Sequence, residues 1–145
     1  RLMPEDRGGS RRHDERSEAR EQAVMLLYEA EQRSVSAVQL LAERRVVSGE
    51  LTALLVGGVE ENRQSLDERI ISNAKGWSLE RMPALDRAIL RTGLFELVSR
   101  PDVPTAVVID EAVELAKRFS TDDSGKFVNG VLAAVAREVR ADGAK

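Results

Sequence analysis

Apolar residues recur three and four positions apart along nearly the whole chain, and this spacing limits the fold more than any other feature. From Ser17 to about Arg33 they form a stripe of Ala19, Ala23, Leu26, Leu27 and Ala30. This spacing places them on one face of an α-helix. No segment alternates apolar and polar residues over a useful length, as a half-buried strand would. The sequence therefore predicts an all-α fold of about seven helices.

Charge and apolar content divide the chain into three parts. Residues 1–16 combine a proline, paired glycines and many charges, which is typical of a flexible charged arm. Residues 17–140 carry the helical pattern and suit a single domain. Residues 141–145 form a polar tail. No apolar run reaches the roughly 20 residues that span a bilayer, and no signal-peptide pattern opens the chain, so we expect a cytoplasmic protein without membrane contact.

Residue counts argue against several kinds of functional site. The chain has no cysteine and one histidine, His13, so thiolate and multi-histidine metal sites are excluded. Phosphate-binding loops and hydrolase motifs are absent from the sequence. Neighbouring carboxylates such as Asp110 and Glu111 would point in different directions on a helix. We predict a protein that is not an enzyme and has no metal or cofactor.

The start of the last helix offers the best candidate binding site. Residues 122–125 (DDSG) favour a turn and a helix N-cap. Lys126 and Phe127 follow within the first helical turn, where unpaired N–H groups attract anions such as phosphate. The ring of Phe127 could stack on a base. Alternatively, Phe127 belongs to the apolar core face of a capped helix, and composition alone favours this second interpretation.

Arginines recur every fourth residue before and within the first helix, at Arg12, Arg16 and Arg20. A helix extended backwards would place them on one face, where they could bind RNA. The interleaved acidic residues could equally pair with them. The net charge of −3 means that any contact with nucleic acid must be a local patch.

Three further expectations concern the middle of the chain. A third helix should begin at Ser48 and bury Ile70 at its far end, with Gly57 and Gly58 allowing close approach of another helix. Trp77, the only tryptophan, lies in a break between helices and is expected to be a half-buried packing residue.

Several blocks of the sequence resemble the NusB family of bacterial transcription antitermination factors, most closely with an actinobacterial character. The similar blocks are 19–24 with 27–28, 85–91 with 95–97, 102–104, 110–117 and 123–132. Together they extend from about Arg16 to Val139. The last block, with Lys, Phe, Val, Asn and Gly in order, is the most specific.

The resemblance implies two packed three-helix bundles that bind boxA RNA of ribosomal RNA operons. It also implies the small ribosomal-subunit protein NusE as partner, within an antitermination complex of RNA polymerase. The implied RNA-binding residues are Arg11, Arg12, Arg16, Arg20, Asp123, Lys126 and Phe127. The implied NusE-binding residues are Tyr28, Glu80 and Asp86. Some family members dimerise, so a homodimer stays open.

One departure and two alternatives stand beside this resemblance. The first 21 residues contain six acidic residues beside six arginines, whereas the family's arm is usually dense in basic residues. NusB-like domains also serve as RNA-binding modules of ribosomal RNA methyltransferases, although the polar tail favours a free-standing protein. A helical adaptor that binds only proteins is the other alternative.

Overall fold

The computed structural model describes residues 4–44 and 49–140 of the chain, with side chains from residue 15 onward within these ranges. These ranges contain seven α-helices, one short 3-10 turn and no strand, which confirms the all-α fold. The helices are α1 (Pro4–Arg33), α2 (Ala37–Arg44), α3 (Glu50–Glu61), α4 (Arg63–Asn73), α5 (Ala84–Ser99), α6 (Thr105–Phe119) and α7 (Asp122–Val139), and the 3-10 turn is Leu79–Arg81.

Helix α5 forms the centre of the molecule. Every residue from Ala88 to Leu97 is buried, and α5 packs against α1, α3, α4, α6 and α7. A helix covered on all sides must be apolar or pair its polar groups. Helices α1, α2 and α3 contact one another, as do α5, α6 and α7, which confirms the two three-helix bundles.

Two glycines allow the helices around α5 to approach closely. A Cβ atom on Gly58 of α3 would lie 2.2 Å from the Phe95 ring, and one on Gly93 would lie 2.9 Å from Leu132 Cδ1. The prediction of close approach is therefore confirmed at Gly58. It is wrong at Gly57, where nothing lies within 4 Å of an added Cβ.

The predicted third helix is divided into α3 and α4 at Asn62. This residue has φ −108° and ψ 16°. Its backbone N–H and its side-chain Nδ2 donate to the carbonyl of Gly58, at 3.1 and 2.8 Å. An asparagine side chain that bonds the backbone competes with the helical ladder, which explains the break. Ser48, the predicted start, lies outside the described residues.

Helix α1 begins at Pro4 and not at Ser17 as the apolar stripe indicates. Proline fits the first turn of a helix, where its missing N–H is not needed. The division into arm, domain and tail stays a prediction, and residues 141–145 lie outside the described ranges. Of the helices described, none combines the length and the apolarity that a membrane crossing requires.

Candidate nucleic-acid interface

The first turn of α7 is held by a side-chain cap. The Thr121 hydroxyl accepts a hydrogen bond from the Ser124 N–H at 2.9 Å, and the Thr121 carbonyl accepts one from the Gly125 N–H at 3.1 Å. This cap fixes the direction in which the next residues project. Lys126 is exposed and Phe127 is half-buried. The predicted helix start thus places a cation and an aromatic edge at the surface.

Two aromatic rings meet beside this turn. The centroids of Trp77 and Phe127 are 5.7 Å apart and their planes are inclined by 55°. Trp77 is 46% exposed, and the guanidinium carbon of Arg81 lies 5.9 Å from its ring centroid. Trp77 was expected only to pack, yet it extends the aromatic surface of Phe127. The two residues lie 50 positions apart, so no local pattern in the sequence indicates their contact.

A cavity of about 210 Å³ opens below the two rings. Its apolar wall consists of Trp77, Met82, Pro83 and Phe127. Its polar wall comes from the starts of α5 and α7 and consists of Asp86, Thr121, Asp123 and Ser124. We call it the Asp86 cavity. Mostly apolar walls with a few converging polar groups are typical of small-molecule and base-binding sites.

Asp86 is buried at the cavity wall, with 2% of its surface exposed. Its Oδ2 accepts a hydrogen bond from the Ser124 hydroxyl at 2.7 Å. Its Oδ1 is also buried and accepts no hydrogen bond from any described group. The expectation that Asp86 faces NusE therefore needs correction, because α7 covers this side chain and leaves it little surface to offer a protein partner.

Arg20 is also buried, with 4% of its surface exposed. It donates to both oxygens of Glu96, at 2.7 and 3.0 Å, and to Glu111 Oε1 at 3.5 Å. Burial acts to lower the pKa of Arg20, but the bonds and charges of Glu96 and Glu111 outweigh it, so the pKa is raised. The expected RNA contact of Arg20 is thus corrected, because its guanidinium is committed to the core.

The other residues expected to contact RNA from α1 are not brought to the cavity. Arg16 is exposed, and the side chains of Arg11 and Arg12 lie outside the described part. The Ser17 hydroxyl bonds to Glu111 in the middle of α6 at 2.6 Å, whereas Glu21 pairs at 3.2 Å with Arg118 near the end of α6. Helix α1 thus runs alongside α6 in the same direction, and Arg16, one residue before Ser17, lies further along α1 from the start of α7 than Glu21 does.

Two residues expected to bind NusE remain at the surface. Tyr28 on α1 is 37% exposed. Glu80 is exposed in the 3-10 turn, next to Arg81. Neither lines the Asp86 cavity.

Sequence reasoning missed the basic end of α6. Lys117 and Arg118 are both exposed in its last turn. The Lys117 side chain lies against the first turn of α7, 3.0 Å from the position of a Cβ on Gly125. Arg118 lies over the Phe119 ring, 4.6 Å from its centroid. Consecutive basic residues that close a helix were the available signal, although they also suit the helix dipole.

Comparison with known proteins shows which family this chain belongs to. The model of the family described as "NusB family" matches residues 17–137. The transcription antitermination protein NusB of Saccharopolyspora erythraea is 56% identical over 128 residues, which cover 83% of this chain and 86% of that protein.

Solved structures give the same result. Thermotoga maritima NusB superposes with a TM-score of 0.80 at 34% identity, over 88% of this chain and 95% of that chain. A structure of the antitermination factors NusB and NusE in complex with double-stranded RNA superposes with a TM-score of 0.75 at 26% identity, over 86% and 97%. The range matched by the family model contains every residue that lines the Asp86 cavity.

Proposed function

Because this chain belongs to the NusB family, we propose that it is a transcription antitermination factor that binds boxA RNA together with NusE. The observation that carries the proposal is the surface at the start of α7, where Lys126 projects beside the paired rings of Phe127 and Trp77. RNA-binding proteins combine aromatic rings, which stack on unpaired bases, with cations, which meet phosphates. This role is binding and not catalysis.

The proposed RNA-binding surface consists of Phe127 and Trp77 with a basic rim of Lys117, Arg118 and Lys126. This rim is local, as an overall charge of −3 requires. Its cations would supply the salt-dependent part of the affinity. Arg81, above Trp77, adds a further cation.

Arg16, Arg11 and Arg12 would extend the RNA contact along α1, away from the cavity. Arg20 is not part of the proposed surface, since it is paired in the core. Asp123 is exposed in the first turn of α7. There it favours the helix dipole and would repel phosphate, so we assign it to orientation of the RNA and not to affinity.

The proposed NusE surface uses Tyr28 and Glu80. An exposed carboxylate suits a ribosomal protein, which is basic, and an exposed tyrosine suits a protein interface. The pair would act within the antitermination complex of RNA polymerase on ribosomal RNA operons, in the cytoplasm.

A gel-shift assay on boxA RNA, with and without NusE at two salt concentrations, tests the proposal. We expect a complex that tightens when NusE is added and weakens with salt. Lys126→Ala should lower the salt dependence, whereas Lys75→Ala, at an exposed position outside the rim, should leave it unchanged. A protein that binds NusE but no RNA under any condition would support the adaptor alternative instead.

A further inference from the structure

We infer that Arg87 is a positioning residue for RNA binding, which holds the segment between α4 and α5 so that Trp77 and Arg81 lie beside Phe127. This inference rests on the proposed RNA-binding function and adds to it a residue that acts through the backbone. Two observations carry it: the segment has few backbone hydrogen bonds of its own, and Arg87 donates to two of its carbonyl groups.

The segment that carries Trp77 and Arg81 is weakly held by its own backbone. Three hydrogen bonds join backbone groups within residues 74–82, at 3.0, 3.1 and 3.2 Å. A single turn of 3-10 helix has poorer hydrogen-bond geometry than an α-helix. Leu79 adds apolar contact with the core. The position of Trp77 therefore depends on contacts that come from elsewhere in the fold.

Arg87 on α5 binds this segment at both ends of the 3-10 turn. Its Nη1 donates to the carbonyl of Leu79 at 2.8 Å and to that of Met82 at 2.6 Å. Leu79 is the first residue of the turn, and Met82 directly follows its last residue. Hydrogen bonds from a charged donor are shorter and stronger than those between neutral groups. One guanidinium thus fixes the whole turn against α5.

The Arg87 guanidinium is itself fixed by α1. Its Nε and Nη2 both donate to Glu31 Oε1, at 3.1 and 2.8 Å, so that Nη1 remains for the turn. Glu31 Oε2 accepts bonds from Arg63 and Arg91, each at 2.9 Å. Because a guanidinium is planar and its donors have a fixed geometry, holding one side of it directs the other. Glu31 would also stay paired if Arg87 were replaced.

The turn determines where half of the proposed RNA-binding surface lies. Trp77 precedes the turn by two residues and contacts the Phe127 ring, and Arg81 ends the turn over the Trp77 ring. A shift of the turn would move the indole and this guanidinium together. Phe127 and Lys126 would stay in place, because the cap at Thr121 holds the start of α7. Loss of Arg87 should therefore separate the two aromatic rings.

The test compares Arg87→Met with Arg91→Met as a matched control. Methionine keeps an unbranched apolar side chain and removes the guanidinium. Arg91 lies one helical turn further along α5 and binds Glu31 and Asp67, but its described bonds reach no backbone group of the turn. Both substitutions should lower the free energy of unfolding, whereas only Arg87→Met should change the surroundings of Trp77.

Fluorescence of the free protein reports the position of Trp77, the single tryptophan of the chain. Arg87→Met should move its emission to longer wavelength and increase quenching by acrylamide, and Arg91→Met should match the parent protein.

Gel shifts on boxA RNA at saturating NusE measure the effect on binding. Arg87→Met should weaken binding about fivefold, since complete loss of one stacked base corresponds to roughly 5- to 150-fold. Arg91→Met should leave the affinity unchanged. Trp77→Ala should weaken binding at least as much as Arg87→Met does, and Arg87→Met should add little in that background, because Arg87 acts through the position of Trp77.

The outcomes separate this inference from the proposed function. If Arg87→Met and Arg91→Met give the same emission or the same RNA affinity, the packing of Leu79 is sufficient to hold the turn, and the inference is wrong while the function stands. If the parent protein binds no boxA RNA with or without NusE, the proposed function falls and the role of Arg87 falls with it. All variants are compared at a temperature at which thermal melts show them folded, so a general loss of stability cannot imitate the result.

Discussion

Glu96 and Asp86 are two buried acidic side chains on the same helix, and their surroundings differ sharply. Glu96 is 1% exposed, and both its oxygens accept bonds from Arg20, while Oε2 also accepts one from Arg100 at 2.8 Å. Asp86 has one partner, Ser124, and one oxygen without any among the described groups. Burial of a charge stabilises a fold only where the charge is paired and bonded.

The difference follows from what meets α5 at each position. Glu96 lies where α1 and α6 converge on α5, and Glu111 joins it there to enclose Arg20 from two sides. We call these residues, with Ser17 and Arg100, the Arg20 cluster. Asp86 lies where α5 and α7 begin, and there the described residues provide only a hydroxyl. Glu96 is fully paired by the protein itself, whereas Asp86 keeps one oxygen without a hydrogen-bond donor among the described groups.

The strongest test of this comparison is Glu96→Ala. The substitution leaves the Arg20 guanidinium buried without its main partner, and breaking a buried pair in this way costs about 3–5 kcal/mol. Urea unfolding would measure the loss. Glu114→Ala on the exposed face of α6 is the control and should change the free energy of unfolding by less than about 0.5 kcal/mol. Equal effects of the two substitutions would contradict a special role of the Arg20 cluster.

Phe127→Leu should separate the stacking of this ring on RNA from its packing against the core. Leucine keeps apolar contact with the core but offers no ring face, so binding of boxA RNA should weaken by about 1–3 kcal/mol. The free energy of unfolding should fall by less than about 1.5 kcal/mol, as for other swaps between apolar residues. Gel shifts and thermal melts of the same preparation would measure both. A large loss of stability with unchanged RNA binding would make Phe127 a core residue only.

A pH titration examines a second closed cluster, in which Glu31 accepts bonds from Arg87 at 2.8 Å and Arg91 at 2.9 Å. Burial acts to raise the pKa of Glu31. The hydrogen bonds and charges of the two arginines lower this pKa by more than burial raises it, so the pKa of Glu31 lies below its ordinary value. The resulting stability is present above the unfolded pKa of about 4.3 and is lost as pH falls through the folded pKa.

Glu31→Gln should therefore flatten the acid side of the stability profile. Because Glu31 remains partly exposed to solvent, the difference should be at most about 1 kcal/mol. Unfolding free energies of both proteins between pH 7 and pH 3 would show it. Parallel pH profiles would mean that these ion pairs add nothing measurable.

The smallest effect is expected for the free energy of unfolding of a variant at Asp86. Asp86→Asn keeps an acceptor for Ser124 and removes a buried negative charge, but its amide nitrogen takes the place of the unpartnered oxygen. The two changes should offset each other, so the free energy of unfolding should stay within about 0.5 kcal/mol of the parent protein. Differential scanning calorimetry at neutral pH is sufficient. A loss as large as that of Glu96→Ala would show that Asp86 is a structural residue and would remove the contrast between the two sites.

The sequence by itself determined the all-α class and the places of the last three helices, whereas it missed the start of α1 and the break between α3 and α4. Apolar spacing is a local property, so α5, α6 and α7 could be placed within a few residues. The turn residues before Lys126 and Phe127 likewise predict a capped helix that projects both side chains. The residues quoted for the resemblance lie within the range that the family model matches.

Only the tertiary structure decided which charges are available for binding. Arg16 and Arg20 lie one helical turn apart on the same face, yet one is exposed and the other is buried against Glu96. Trp77 and Asp86 gain their roles from α7, whose first turn lies more than 30 residues further along the chain. A local pattern specifies the direction of a side chain on its own helix. What covers that side chain depends on how distant helices pack, and this packing leaves Asp86 Oδ1 buried without a partner.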